Sequence, residues 1–436
     1  MKLPISDEKS PFTITRGKHQ SKIPEDYARF SPGESSVAKQ FHDLARISVR
    51  ATQHSGLFMF RINKENCSFT FSWLSIPTFA AFMRLLTLAG MMVYYEFYKS
   101  LIEQRFQSAS ASGNYGTLGA TERILSGTIF LSDGVGILLL WRNRKEMEEF
   151  LNKLSKTITQ NAEELINRSW ITDWFCKASK RAKWLVTTIS ATSGIITLII
   201  IYQNLHNMML SILGKSELDW FGWSFPIFAF CWFTVLFRRL HFRVLIMSTI
   251  DILQFGFKTV RKHVQELGNE IVNNNNSSKK IRSYLQEEKL NQIVEKYRGM
   301  EALVGEFNEI FNFHMLIGIG SLLIVILISL FHFLVEITAG VRSFIIVLIF
   351  ISEAAINMWV LHGLGTSATD LADQIMLQFQ QALAVPIVIS PGNFFSLNRQ
   401  MITSIAGTLT TYLIVLIQFR NNESASLQNN STNHYK

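Results

Sequence analysis

Charge is scarce in this 436-residue chain: Asp, Glu, Lys and Arg make up 17% of it, too little to clothe an ordinary soluble domain of that size. Cysteine is scarcer still. Cys67, Cys176 and Cys231 give neither a disulfide framework nor a metal-ligand spacing. Enzyme signatures are missing as well, with no HExxH pair and no GxxxxGK phosphate loop, while His314, His332 and His362 are dispersed. His241 and Glu353 are lone ionisable residues, a pattern that packing explains more often than chemistry. No catalytic residue, metal site or cofactor is therefore expected. The first 35 residues are polar and contain no continuous apolar core, so no cleavable leader is expected, and insertion is expected to follow the first internal apolar run.

What the chain does have is apolar residues, 48% of the total, gathered into runs separated by charged segments. Runs of about 20 residues, at 1.5 Å per residue, cross roughly 30 Å of hydrocarbon. The expected fold is all-α, a polytopic membrane protein with seven transmembrane helices over 71–95, 124–141, 184–202, 221–237, 311–333, 341–361 and 401–419. Arg84 and Asp133 fall inside the first two spans, where an isolated charge is expensive; a pair between them is sterically conceivable.

A net charge of +9 raises the question of nucleic acid, but the basic residues lie between spans, where orientation in the bilayer accounts for them; no nucleic-acid partner is expected. With the amino terminus inside, the cytosolic segments 1–70, 142–183 and 238–298 carry 11, 10 and 12 Lys and Arg, against 7 for all external segments. That bias predicts a cytosolic amino terminus and an extracellular carboxyl terminus. A seven-helix metabotropic receptor of the G-protein-coupled kind has the opposite orientation. A secondary transporter would be favoured by an internal repeat, and none is evident.

The expected organisation follows. Residues 1–70 form a cytosolic region in which 36–60 suits an amphipathic helix at the membrane surface. Spans one to four occupy 71–237. Helical stretches in 238–310, interrupted by the asparagine run at 273–276, and another within 362–400 carry apolar sides suited to a cytosolic bundle. Spans five and six lie in 311–361, the seventh in 401–419, and 420–436 is an extracellular tail. Outside, 107–120 reads as a loop rich in Ser, Gly and Ala. The short external connections leave no room for a separate ligand-binding domain.

Two groups of residues stand out as functional candidates. Ser404, Thr408, Thr411 and Gln418, with Val415 interposed, are spaced by four, three, four and three and so form one longitudinal stripe. Such a stripe either packs against another helix or lines water. If it lines a pore, Leu413, Ile417 and Phe419 near its outer end are placed to close it by dewetting. The second group, Tyr94, Tyr95, Glu96, Asp133, Tyr202, Gln203, Trp220, Trp223 and His332, lies in the outer halves of spans and combines aromatic faces with hydrogen-bonding groups, which suits a small polar molecule such as a sugar. Interfacial anchoring of Trp and Tyr is the competing account.

The segment Thr411-Tyr412-Leu413-Ile414-Val415-Leu416-Ile417-Gln418-Phe419 resembles the closing signature of arthropod gustatory receptors: Thr-Tyr, five apolar residues, Gln-Phe. Gly56-Leu57-Phe58 with Phe69-Thr70-Phe71-Ser72-Trp73, and Phe394-Phe395-Ser396-Leu397-Asn398-Arg399 before Ala406-Gly407-Thr408, are similar to the sugar-receptor branch. Leu413 departs from it, since that branch has Glu after the Tyr, and fructose-type and bitter-type members remain alternatives. The resemblance implies a taste receptor in the cell membrane of a sensory neuron dendrite, acting as a tetrameric ligand-gated cation channel, homomeric or with related subunits. It also implies last helices around the pore, a cytosolic anchor and a tastant pocket in each subunit. By motif position, Gln418 and Phe419 resemble the outer gate, with Thr411 and Tyr412 deeper.

Overall fold

Long runs of mainly apolar residues, and amphipathic stretches at 37–54 and 144–163, form helices in the computed structural model, which describes residues 37–54, 60–62, 68–109, 116–165, 169–212, 220–273, 279–338, 344–379, 389–391 and 395–433. In chain order these are α1 (Val37–His54), β1 (Phe60–Ile62), β2 (Phe69–Phe71), α2 (Ile76–Ala109), α3 (Gly116–Arg142), α4 (Arg144–Glu163), α5 (Ser169–Ile212), α6 (Trp220–Asn273), α7 (Lys279–Thr338), α8 (Phe344–Phe379) and α9 (Arg399–Asn433).

Which faces are buried identifies the solvent. On α2 the buried positions are Thr78, Ala81, Arg84, Leu88 and Met91, while Phe79, Phe82, Met83, Leu86 and Val93 are exposed. α3 likewise buries Asp133 and exposes Ile124, Leu131 and Leu138. Charges inside and large apolar side chains outside reverse the arrangement of a soluble bundle and match a bundle facing lipid. Among the described residues, helical windows at Ile76–Val93, Arg123–Arg142, Leu240–Ile271 and Gln286–Val335 are long and apolar enough to cross a bilayer. In the third window protein is a sufficient reason for the apolar composition: α6 is buried nearly all round from Leu240 to Val260, enclosed by α1, α5, α7 and α8.

α6 and α7 have 54 and 60 residues, so at 1.5 Å per residue they are about 80 and 90 Å long, far beyond a hydrocarbon layer of about 30 Å. The helical stretches expected within 238–310 are thus continuous with the helices before and after them. The asparagine run itself lies mostly outside the described residues.

Several features differ from the sequence expectation or add to it: residues 107–109 and 116–120 of the expected loop belong to α2 and α3, and α9 continues past 419 to Asn433. Residues 71–75, expected to open the first span, belong to β2 and a turn; Thr78 Oγ1 donates to Ser72 O at 2.7 Å and Thr78 N to Ser75 Oγ at 3.3 Å, so the helix starts only at Ile76. The amphipathic stretch at 36–60 is α1, whose apolar side, with Phe41, Leu44 and Val49 buried, is covered by α5 and α6. A 2.6 Å hydroxyl contact joins Ser48 to Ser248 there. α4 was not anticipated. It buries Met147, Phe150, Leu151, Leu154 and Ile158 against α6 and α7, with Phe150 6.2 Å from both Phe307 and Phe311.

α4 also completes the small sheet. β1 and β2 pair antiparallel with Phe60 opposite Phe71. The free edge of β2 is met by side chains of α4: Asn152 Oδ1 accepts from Phe69 N at 2.8 Å, its Nδ2 donates to Phe69 O at 3.0 Å, and Glu148 accepts from Phe71 N at 3.1 Å. The edge is satisfied as another strand would satisfy it.

Candidate functional site

The last helix carries the longest uncovered polar face among the candidate residues. α9 rests on α3, α7 and α8, with Leu409 9% exposed and Ile405, Leu413 and Ile417 half-buried. Ser404, Thr408, Thr411 and Gln418 are exposed along the other side, together with Ile414 and Val415, and Tyr412 and Phe419 are exposed on its flank. The helical period separates these sets, since the leucines recur at three and four residues and the hydroxyls recur out of phase with them. No other helix of this chain covers the polar side within the described residues.

Its chemistry is one-sided. Thr408 Oγ1 donates to Ser404 O at 3.0 Å, Thr411 Oγ1 to Gly407 O at 3.1 Å and Ser404 Oγ to Gln400 O at 3.3 Å. With the hydroxyl hydrogens used inside the helix, oxygen lone pairs remain on the outside. A row of acceptors suits water and cations better than anions.

Inside the bundle, the polar groups sit where helices cross. Arg84 donates to Asp133 in an ion pair between α2 and α3, the two side chains 5% and 4% exposed. One neighbouring level is held by Arg243, whose Nη2 donates to Gly318 O at 2.6 Å and Ser321 Oγ at 2.7 Å, and by His314 Nε2, 3.1 Å from Gly136 O. Between them is a cavity of about 50 Å³ bordered by Asp133, Arg243 and His314 and otherwise mostly by apolar side chains such as Leu140, Phe242 and Ile319. At about 10–15 Å³ per water it has room for a few waters, whereas sites for drug-sized ligands span about 300–1,000 Å³.

The other proposed ligand contacts are scattered. His332 is buried, its Nε2 3.4 Å from Thr121 Oγ1, bridging α7 and α3. It lies 18 positions along α7 from His314, about 27 Å at helical rise, so it and Asp133 occupy different levels of the same seam. Tyr202 is 69% exposed on α5. The side chains of Tyr94, Tyr95, Glu96, Gln203, Trp220 and Trp223 lie outside the described residues. Arg243 and Ser321 were not singled out from the sequence, although an arginine so close to an apolar run was a signal of the same kind as Arg84. Among the described residues no cluster of His, Cys, Asp or Glu could hold a metal ion.

Helices that bury charges, expose apolar faces and outrun the bilayer define an all-α polytopic membrane protein. Residues 45–423 match the 7tm chemosensory receptor family, and the chain belongs to it. It is therefore a multi-pass membrane receptor and not an enzyme. The fold is similar to that of the insect olfactory receptor OR5 from Machilis hrabei, at a TM-score of 0.58 and 15% identity over 86% of this chain and 97% of that one. The same receptor in complex with eugenol gives a TM-score of 0.61 at 13% identity, with the same coverage. No curated protein matches the chain.

Proposed function

We propose that the chain is a gustatory receptor subunit, a ligand-gated non-selective cation channel opened by a small extracellular tastant, with a sugar as the favoured class. The observation that carries the channel reading is the polar face of α9, left uncovered by its own subunit. A Ser, Thr and Gln stripe exposed to lipid has little to recommend it, whereas the same stripe around a shared axis borders water. Four copies, identical or related, would place Ser404, Thr408 and Thr411 along the conduit. Tyr412, Gln418 and Phe419 would form its outer constriction, backed by Leu413 and Ile417 on the side of α9 that packs against the bundle.

In this reading the chain crosses the bilayer seven times with its amino terminus in the cytosol, and the lower parts of α6, α7 and α8 form the anchor. The distribution of Lys and Arg supports that orientation; glycosylation at Asn275, in the sequon Asn275-Asn276-Ser277, would overturn it. Ligand must bind the open arrangement more tightly than the closed one to shift the population. The taste assignment rests on the Thr411 to Phe419 signature. A volatile organic ligand is the second reading, favoured by the structural likeness to a receptor that binds eugenol.

The test is expression in a cell without such receptors, alone and with related subunits, and current recording during sugars, bitter compounds and eugenol. A ligand-evoked cation current that disappears in Gln418→Ala while surface protein persists is expected. Second-messenger signalling without current in any subunit combination would refute the channel.

A further inference from the structure

The outward side of α5 changes character along its length in the way the bilayer does. Lys177, Lys180 and Lys183 are exposed at the amino-terminal end, Trp184 follows at 60% exposure, Ile195 and Leu198 are exposed beyond it, and Tyr202 closes the series at 69%. Trp184 and Tyr202 are 18 residues apart, about 27 Å along a helix, close to the roughly 30 Å of a hydrocarbon core. The two aromatics therefore mark both boundaries of the apolar layer, with the lysines just beyond one of them.

At that boundary the surface is more than an anchoring tryptophan. Trp184 stands edge-on to Trp359 of α8, ring centroids 4.8 Å apart at 89°, so the two indoles line the seam between the helices. Of the nearby cations, Lys177 is paired with Asp173 at 2.7 Å and Arg181 with Asp251 at 3.4 Å. Lys180 and Lys183 have no acidic partner among the described residues. Lys180 lies one turn before Trp184 and three residues before Lys183, so two uncompensated ammonium groups border an apolar aromatic seam.

We propose that this seam of α5 and α8 binds an anionic phospholipid, Lys180 and Lys183 taking the headgroup and Trp184 and Trp359 the start of an acyl chain. Charge complementarity selects the occupant. A neutral lipid would leave both ammonium groups without a counter-ion, and a partner protein would have to bring acid to the depth of the headgroups. Assignment to the inner leaflet rests on the orientation proposed above; binding itself does not.

The experiment uses the purified full chain in nanodiscs of phosphatidylcholine with or without phosphatidylserine, both leaflets alike, so its outcome is independent of orientation and of any current. Retained lipid is counted by native mass spectrometry. The wild type is expected to keep phosphatidylserine over phosphatidylcholine, and Lys180→Gln with Lys183→Gln to weaken that preference roughly 30-fold, at the usual worth of a surface cation near an anionic membrane. Arg261→Gln with Lys262→Gln, which removes the same charge from an exposed part of α6 further along, is expected to leave it intact. Trp184→Ala is expected to lower retention of either lipid. Equal retention of the two lipids by the wild type, equal loss in the α6 variant, or complete displacement by excess inorganic phosphate would each overturn the proposal, the last by revealing a free-anion site.

Discussion

Arg84 of α2 and Asp133 of α3 neutralise one another in the interior of the bundle, their side chains 5% and 4% exposed. Neither charge is tolerable alone in that setting. Removing one partner of a buried pair typically costs about 3–5 kcal/mol, because the other remains charged and desolvated, while replacing both by apolar residues of similar volume is often neutral. Asp133→Leu alone is expected to abolish most folded protein at the surface, and Arg84→Met with Asp133→Leu to recover it. Surface labelling and size-exclusion profiles measure this. A double variant no better than the single one would mean that the pair contributes something other than mutual neutralisation.

The Asn152 amide does the work of a strand residue, accepting from and donating to Phe69. Asn152→Leu keeps the volume and removes both hydrogen bonds, at a cost of about 2 kcal/mol if each is worth about 1. The melting temperature in detergent is expected to fall accordingly, with proteolysis first appearing near the hairpin. Asn152→Asp, which retains the acceptor and loses the donor, is expected to fall in between.

Much of the helical framework was readable because lipid and protein demand long apolar runs, and Arg84 and Asp133 stood out because a bilayer makes any charge conspicuous. Their pairing was conceivable but unreadable, since two charges on separate helices carry no information about register. α4 was missed although Met147, Phe150, Leu151, Leu154 and Ile158 keep helical spacing; its high charge made a connecting segment the easier reading. The ligand candidates show the opposite failing. Residue type cannot separate an aromatic anchor from an aromatic contact, and Tyr202, exposed on α5, sits where an anchor belongs. Contacts such as His332 with Thr121, 211 positions apart, follow only from packing.

Arg243 ties α6 to α7 through Gly318 O and Ser321 Oγ. Ser321→Ala removes one charge-assisted bond, worth about 1.5–3 kcal/mol. Arg243→Ala removes both bonds and a large buried side chain, so its melting temperature is expected to fall further. Arg243→Lys is expected to resemble Arg243→Ala more than the wild type, because an ammonium is a compact point charge and lacks the planar fork that serves two acceptors at once. The order of the three melting temperatures is the test, and full rescue by lysine would show that charge alone is needed.

On α9 the two sides of one helix give opposite expectations for the same reagent. Ser404→Cys, Thr408→Cys, Thr411→Cys and Gln418→Cys introduce thiols on the exposed polar side, and Leu409→Cys introduces one on the side packed against the bundle. A membrane-impermeant, charged thiosulfonate reacts with thiolate in water and not in hydrocarbon, so exposure to lipid and exposure to a conduit give different answers. The four polar-side variants are expected to be modified in the assembled receptor. Modification is expected to be faster during stimulation at Ser404, Thr408 and Thr411, behind the constriction at Gln418 and Phe419, while Leu409→Cys stays protected throughout. Ligand-dependent rates at Ser404, Thr408 and Thr411, with little change at Gln418 within the constriction, would put the gate between Thr411 and Gln418. Protection of all four positions in resting and stimulated receptor would mean that the polar side is covered by another helix or by lipid, and the conduit would have to be sought elsewhere.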